Sequence, residues 1–357
     1  MTRKYGWLIL AAVGAVAACS ASDDGPAATA PGTDGGTDAP VAADGASPDS
    51  ASGDADTGTP TKPETVVGFD ASKGQLPEGL VITADGRALV GLALSGDIVS
   101  VDLTKQPTEA KPFAKLPTPV PNMGFVTGLA LDSEQRFYGA LVSFSPDVQA
   151  GIYRTPKEGG NATLFASNPG MVFPNGLVFR ADGTLLVTDS AAGTVFAVSP
   201  AGAVTPWLKS DLLAGKKDFC GPDLNTFDIG ANGIALGKNA AFVVNNDHGS
   251  VIRVPIEANG AAGTPEVYIE PNCAVLGGAD GVVVDNNDVL HVAVNRQDRI
   301  VKVGTDKKLT VVSQGGILDF PASLAIRGSS LVVTSFAFGR AQSNANPRPA
   351  LVTVPLL

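Results

Sequence analysis

Histidine and cysteine are scarce: the chain has two of the first and three of the second. They stand scattered along the chain, with no thiolate or imidazole cluster of the kind zinc favours. Lysine and arginine total 25 against 35 aspartates and glutamates, for a net charge of −10. That balance leaves no basic footprint for nucleic acid. The apolar run from Trp7 to Val16 is too short to cross a bilayer. Helical periodicity is missing as well, since nothing downstream repeats apolar residues every 3.6 positions, which excludes helical solenoids.

What stands at the beginning is Arg3 and Lys4, the apolar run, then Ala17-Ala18-Cys19. This is the three-part layout of an export signal, expected to occupy residues 1–18. A cysteine after two alanines resembles the lipobox of bacterial lipoproteins, which implies lipid on Cys19 and membrane contact through that anchor alone. Ser20 stands where such lipoproteins carry an inner-membrane retention aspartate, so the resemblance implies the outer membrane. Apart from Cys19, Val41 and Lys62, residues 19–63 are Ala, Asp, Gly, Ser, Thr and Pro, with eight aspartates and little that could offset the entropy of ordering. They are expected to be a disordered tether, which leaves a mildly acidic domain over 64–357.

Within that domain one phrase recurs, a polar residue, glycine, then an alternating apolar run. It appears at Glu78-Gly79-Leu80, Thr127-Gly128-Leu129, Asn175-Gly176-Leu177, Asn232-Gly233-Ile234 and Asp280-Gly281-Val282, with a degenerate Ala322-Ser323-Leu324. The spacings of 49, 48, 57, 48 and 42 residues are blade lengths of a β-propeller. Four short strands are legible per repeat, in blade 3 over 176–179, 185–188, 194–198 and 204–208, divided by turns such as Ala181-Asp182-Gly183. Blade 6 supplies only three, and a spare strand-like stretch, Thr65 to Phe69, precedes blade 1. The expected fold is therefore all-β, a six-bladed propeller of four antiparallel strands per blade. Its N-terminal strand would close the last blade and cover its open edge.

The first strand of each blade lines the channel of a propeller, so Glu78, Thr127, Asn175, Asn232, Asp280 and Ala322 would converge on the axis. Glu78, Asn175, Asn232 and Asp280 are hard oxygen donors whose two charges match a divalent cation, and calcium suits such a set. Each of these residues taken singly is also an ordinary turn former before glycine. Glutamate is a poor one, and four such choices at equivalent positions favour a metal site.

From about residue 70 to 340 the chain resembles the gluconolactonase and senescence-marker-protein superfamily of six-bladed propellers and their paraoxonase and diisopropylfluorophosphatase relatives. Pro77-Glu78-Gly79, Pro174-Asn175-Gly176, Ala231-Asn232-Gly233, Asp280-Gly281 through Asp285, and Leu185 to Ser190 carry the likeness. The resemblance implies catalytic calcium on Glu78, Asn175, Asn232 and Asp280. It departs in blade 2, where Gly124-Phe125-Val126-Thr127-Gly128 replaces the Arg-x-Asn-Asp-Gly pattern of gluconolactonases, and no histidine pair stands near that blade.

The chemistry this implies is hydrolysis of a small-molecule lactone or ester by a monomer, with Asp280 attacking or activating water. Thr127, Asp189, Ser190, Asn246, His248 and Asn295 are the candidate rim residues, at the ends of strands that return to the metal face. His291, inside a strand, is expected to be structural. Cys220 and Cys273 either pair beside the site or stay free thiols. The rival from another class is a non-catalytic, calcium-stabilised propeller that binds a glycan, peptide or protein at the cell surface.

Overall fold

The structure, a computed structural model, describes residues 60–105, 108–222 and 227–356. The export segment, Cys19 and all but the end of the tether lie outside the described residues. Six antiparallel sheets follow one another along the chain. Blade 3 comprises Pro174–Phe179, Leu185–Asp189, Thr194–Val198 and Val204–Lys209, and blade 5 comprises Ala279–Val284, Leu290–Val294, Arg299–Val303 and Leu309–Gln314. Their hairpins form where an aspartate gathers the turn amides: Asp285 Oδ1 accepts from Asn287 N at 2.8 Å and Val289 N at 3.1 Å. Blade 1 exceeds the expected four strands. Gly160–Asn161 leave the last hairpin of blade 2 to pair in parallel with Ala114 and Lys115, after positive-φ turns at Gly159 and Gly160.

Apolar burial lies between blades rather than within them. Alternation along each strand sends one set of side chains to each neighbouring sheet. Leu290, Val292 and Val301 of blade 5 thus meet Phe242, Val244 and Val251 of blade 4, while Ala293 and Ile300 of blade 5 meet Leu331, Val333 and Val352 of blade 6. Leu290 is fully buried, and its truncation to alanine would cost about 2–5 kcal/mol.

Glu64–Gly68 pairs antiparallel with Ala350–Pro355, giving blade 6 its outer strand as the sequence predicts. Thr61 continues the closure into blade 5: its N–H donates to Val312 O at 2.7 Å, and Ser313 Oγ donates to Thr61 O at 2.8 Å. The N-terminal stretch therefore ties two blades.

The recurring dipeptide has a structural cause. In all six first strands the pairing register breaks across it, as between Pro77 and Leu80, Pro174 and Leu177, and Ala279 and Val282. A bulge there re-aims the polar side chain out of the sheet. The glycine that follows lies on the backbone of the next blade: a Cβ on Gly233 would sit 2.3 Å from Asp280 O, and one on Gly79 would sit 2.2 Å from Thr127 O. At the five glycines of the repeat no side chain fits between consecutive channel residues, and this holds the ring tight around its axis; blade 6 has Ser323 at the corresponding place.

Candidate metal centre

The six bulges bring Glu78, Thr127, Asn175, Asn232, Asp280 and Ala322 to one end of the channel, all at most 7% exposed. Five of them line a cavity of about 60 Å³, the exception being Ala322, which is packed under Phe336. Thr127 spends its hydroxyl on Pro174 O at 2.8 Å, which ties blade 2 to blade 3.

The other four present oxygen. Asn175 Nδ2 donates to Ser190 Oγ at 3.1 Å, and that hydroxyl donates to Ala231 O at 2.8 Å, so the amide plane is fixed with Oδ1 as its remaining acceptor. Asn295 Nδ2 donates to Asp280 Oδ2 at 3.1 Å. Glu78 Oε2, Asn232 Oδ1 and Asn295 Oδ1 are buried and have no hydrogen-bond partner. Orphaned acceptors of this kind cost about 1–3 kcal/mol each, more when charged, and a cation among them would relieve that cost.

The electrostatics point the same way. Burial, and then the charge of Asp280, push the Glu78 carboxyl well above its usual range. Burial pushes Asp280 up to about 7 against the hydrogen bonds from Asn295 and Asn232. Among the described residues no three histidine, cysteine, aspartate or glutamate side chains cluster, so the donor set is two carboxylates completed by carboxamides. That composition, at a volume that holds an ion and a few waters, fits calcium and not zinc.

The rim residues divide. Asn246 and Asn295 line the cavity, and Ser190 orients Asn175 from behind. Asp189 points away from the cavity and holds loop backbone: its carboxylate accepts from Val172, Phe173, Ala191 and Ala192 N–H groups at 2.6–3.2 Å. His248 is not at the cavity either, its ring lying 4.5 Å from that of Phe219. Beside it Cys220 and Cys273 form a disulfide, with Cα atoms 5.0 Å apart. The bond ties the loop leading into blade 4 to the short helix Cys273–Leu276 leading into blade 5. His291 is buried in its strand, with Nε2 3.4 Å from Asp285 Oδ2.

Sequence reasoning did not find the collar above the donors, built from Phe125, Phe173, Phe320, Phe336 and Phe338 with Arg296. Phe125 and Phe173 meet edge to face at 5.3 Å, and Phe336 and Phe338 stack at 5.1 Å. A signal was present. Phe125, Phe173 and Phe320 each stand two residues before the channel residue of their blade.

No protein-family model and no curated relative matches the sequence. Solved structures do match in fold. Regucalcin, a calcium-binding protein from Agrobacterium tumefaciens, shares 19% identity over 84% of this chain and 96% of its own, with a TM-score of 0.58. A luciferin-regenerating enzyme shares 15% over 83% and 96%, at 0.60. A putative gluconolactonase shares 14% over 84% and 96%, at 0.57. At such identities the likeness carries architecture alone. The chain is thus a six-bladed β-propeller, built as regucalcin, the luciferin-regenerating enzyme and the putative gluconolactonase are built.

Proposed function

We propose that this protein is a calcium-dependent hydrolase of lactones or related esters, exported and lipid-anchored through Cys19 at the cell envelope. The observation that carries the reading is the set of orphaned oxygens, Glu78 Oε2 and Asn232 Oδ1 among them, facing one small cavity with Asp280. Glu78, Asn175, Asn232 and Asp280 would hold the ion, which when bound would polarise the ester carbonyl and lower the cost of the oxyanion.

In this reading Asp280 acts on the carbonyl carbon. The bond from Asn295 Nδ2 to Asp280 Oδ2 fixes its carboxylate plane. A carboxylate beside a cation is a weak base, so direct attack suits it better than proton abstraction. In that route an Asp280 oxygen bonds to the acyl carbon as the ester C–O bond breaks, and the departing alkoxide takes a proton from water. The hydroxide so formed opens the resulting anhydride, releasing the acyl group as the acid and restoring the Asp280 carboxylate. The phenylalanine collar keeps bulk water from the site and favours an apolar acyl or ring portion.

The collar also favours the rival reading, since a cavity of about 60 Å³ admits an ion more readily than an ester. In that reading calcium rigidifies the hub and the surrounding loops bind a glycan, peptide or protein. One experiment separates the two: hydrolysis of aliphatic lactones, aryl esters and phosphotriesters by the full chain, with calcium and with chelator, for wild type and Asp280→Asn. Calcium-dependent turnover abolished by the substitution is the result expected of the enzyme. Calcium-dependent stability without turnover would replace it with the binding module.

A further inference from the structure

The cavity is roofed unequally. Three of the five collar rings, Phe320, Phe336 and Phe338, flank the inner strands of blade 6, Pro321–Arg327 and Ser330–Ser335. Between Ser335 and the next strand, which begins at Ala350, the chain passes the mouth with one short helix, Phe338–Gln342, that buries none of its residues and has no side-chain cap. Phe338 and Ala341 pack on the apolar cluster of Leu76, Ala93, Ala322 and Phe336. That is little apolar contact for a segment over a candidate metal centre, and low contact marks the parts of a fold that open first.

Arg340 supplies a hold that packing does not. Its Nε donates to Asp319 Oδ1 at 3.0 Å and its Nη2 to Asp298 Oδ2 at 3.1 Å, so one guanidinium spans carboxylates from blade 5 and from the approach to blade 6. Each carboxylate spends its other oxygen on the same structure. Asp298 Oδ1 accepts from Phe320 N at 2.8 Å, and Asp319 Oδ2 accepts from Arg348 N, near the far end of the segment, at 2.8 Å. The arginine side chain is 40% exposed, so water competes for both pairs and exchanges with them at low cost.

The backbone beside the helix is strained. Phe320 sits at φ +53° and Ala337 at φ +57°, left-handed values that disfavour any residue with a side chain. The two are joined, Phe336 N donating to Phe320 O at 3.1 Å and Ala337 N to Asp319 O at 2.7 Å. Ala337 is also where burial ends: it is fully buried, and Phe338 to Arg340 are half-buried.

We propose that Phe338 to Arg348 forms a lid on the cavity, hinged at Ala337, and that Arg340 is the positioning residue that latches it. Closed, the lid seals about 60 Å³, room for an ion and little else. Open, it gives an ester the space that the closed collar denies, and it relieves the hinge. The ester rests on the hydrolase reading and the ion on the metal-centre reading, but access to the cavity depends on neither.

The test is labelling of the full chain carrying Thr127→Cys, a position that lines the cavity, by methyl methanethiosulfonate in chelator, with Arg340 intact or replaced by Gln or Lys. Ala241→Cys, at a fully buried position between blades, reports general loosening in the same backgrounds. Peptide mass spectrometry separates the introduced thiol from the native cysteines. Arg340→Gln is expected to speed labelling at position 127 by about tenfold and to leave that at position 241 as it was. Arg340→Lys, whose ammonium is a point charge rather than a fork, falls between. Without a cysteine substitution, Arg340→Gln should quicken both uptake and release of calcium by a similar factor and leave Kd in place. Labelling at position 127 that ignores Arg340→Gln, a rise matched at position 241, cavity labelling with Arg340 intact as fast as that of an exposed thiol, or unaltered rates of calcium exchange would each overturn the lid. Absence of calcium binding would strike the metal centre and leave the labelling to decide the lid.

Discussion

The hydroxyl of Thr334 donates to the backbone carbonyl of Glu78 at 2.7 Å, joining the sixth blade to the first across 256 residues of sequence. The same hydroxyl accepts from Ser323 N at 2.9 Å, so one side chain bridges the bulge of its own blade to the channel residue of the next. Blade 3 repeats the device: Thr188 accepts from Gly176 N at 2.8 Å and donates to Asn232 O. Replacing Thr334 by valine preserves shape but leaves the Glu78 carbonyl buried without this donor. Chemical denaturation should show a loss of about 1–3 kcal/mol and calcium affinity should fall with it. An unchanged affinity would mean that Glu78 is positioned by other contacts.

Metal loading should dominate the stability of the hub. The full chain with calcium at a hundredfold excess over Kd should gain about 2.7 kcal/mol, read as a rise in melting temperature that chelator reverses. Glu78→Gln removes the repulsion with Asp280. It should therefore raise the melting temperature of the metal-free protein while blunting its response to calcium. A metal-free Glu78→Gln protein less stable than wild type would remove the repulsion argument.

Acid should weaken the fold through His291. Burial holds this imidazole below its ordinary 6.5, and Asp285 only partly offsets that effect. Because the folded value is depressed, the unfolded chain binds the extra proton first, and stability falls as pH drops below about 6.5. His291→Gln should flatten the melting-temperature profile between pH 7 and 5. A profile as steep as that of wild type would assign the acid sensitivity elsewhere.

Reduction of the disulfide between Cys220 and Cys273, which closes a separation of 53 residues, should cost about 2–4 kcal/mol. The loop it restrains includes Ile229, which lines the cavity. The double Cys→Ser variant should therefore lose calcium affinity as well as stability, measurable by titration well below its melting temperature. Lost stability with unaltered affinity would confine the bond to a structural role.

The ring was legible because its signal is repeated: six bulges need six dipeptides, and a short closing strand had only one blade lacking a partner. The donors were legible for the same reason. Asp189 and His248 show where that reading runs out. Strand polarity places both at the rim end of the molecule, but direction depends on loop amides for Asp189 and on a neighbouring ring for His248. Neither partner is close in the strand pattern.

The closing strand also sets the order in which the molecule can be completed. Glu64–Gly68 is made before the other strands of the ring, yet its partner Ala350–Pro355 is made after them. Throughout synthesis the first strand carries unpaired edges and the half-buried Val66 and Val67, exposed to any other strand that comes within reach. A blade 6 that borrowed this strand from a second copy would satisfy the same hydrogen bonds. Slow elongation or crowding during synthesis is therefore the condition under which exchange between nascent chains competes with closure of a single ring.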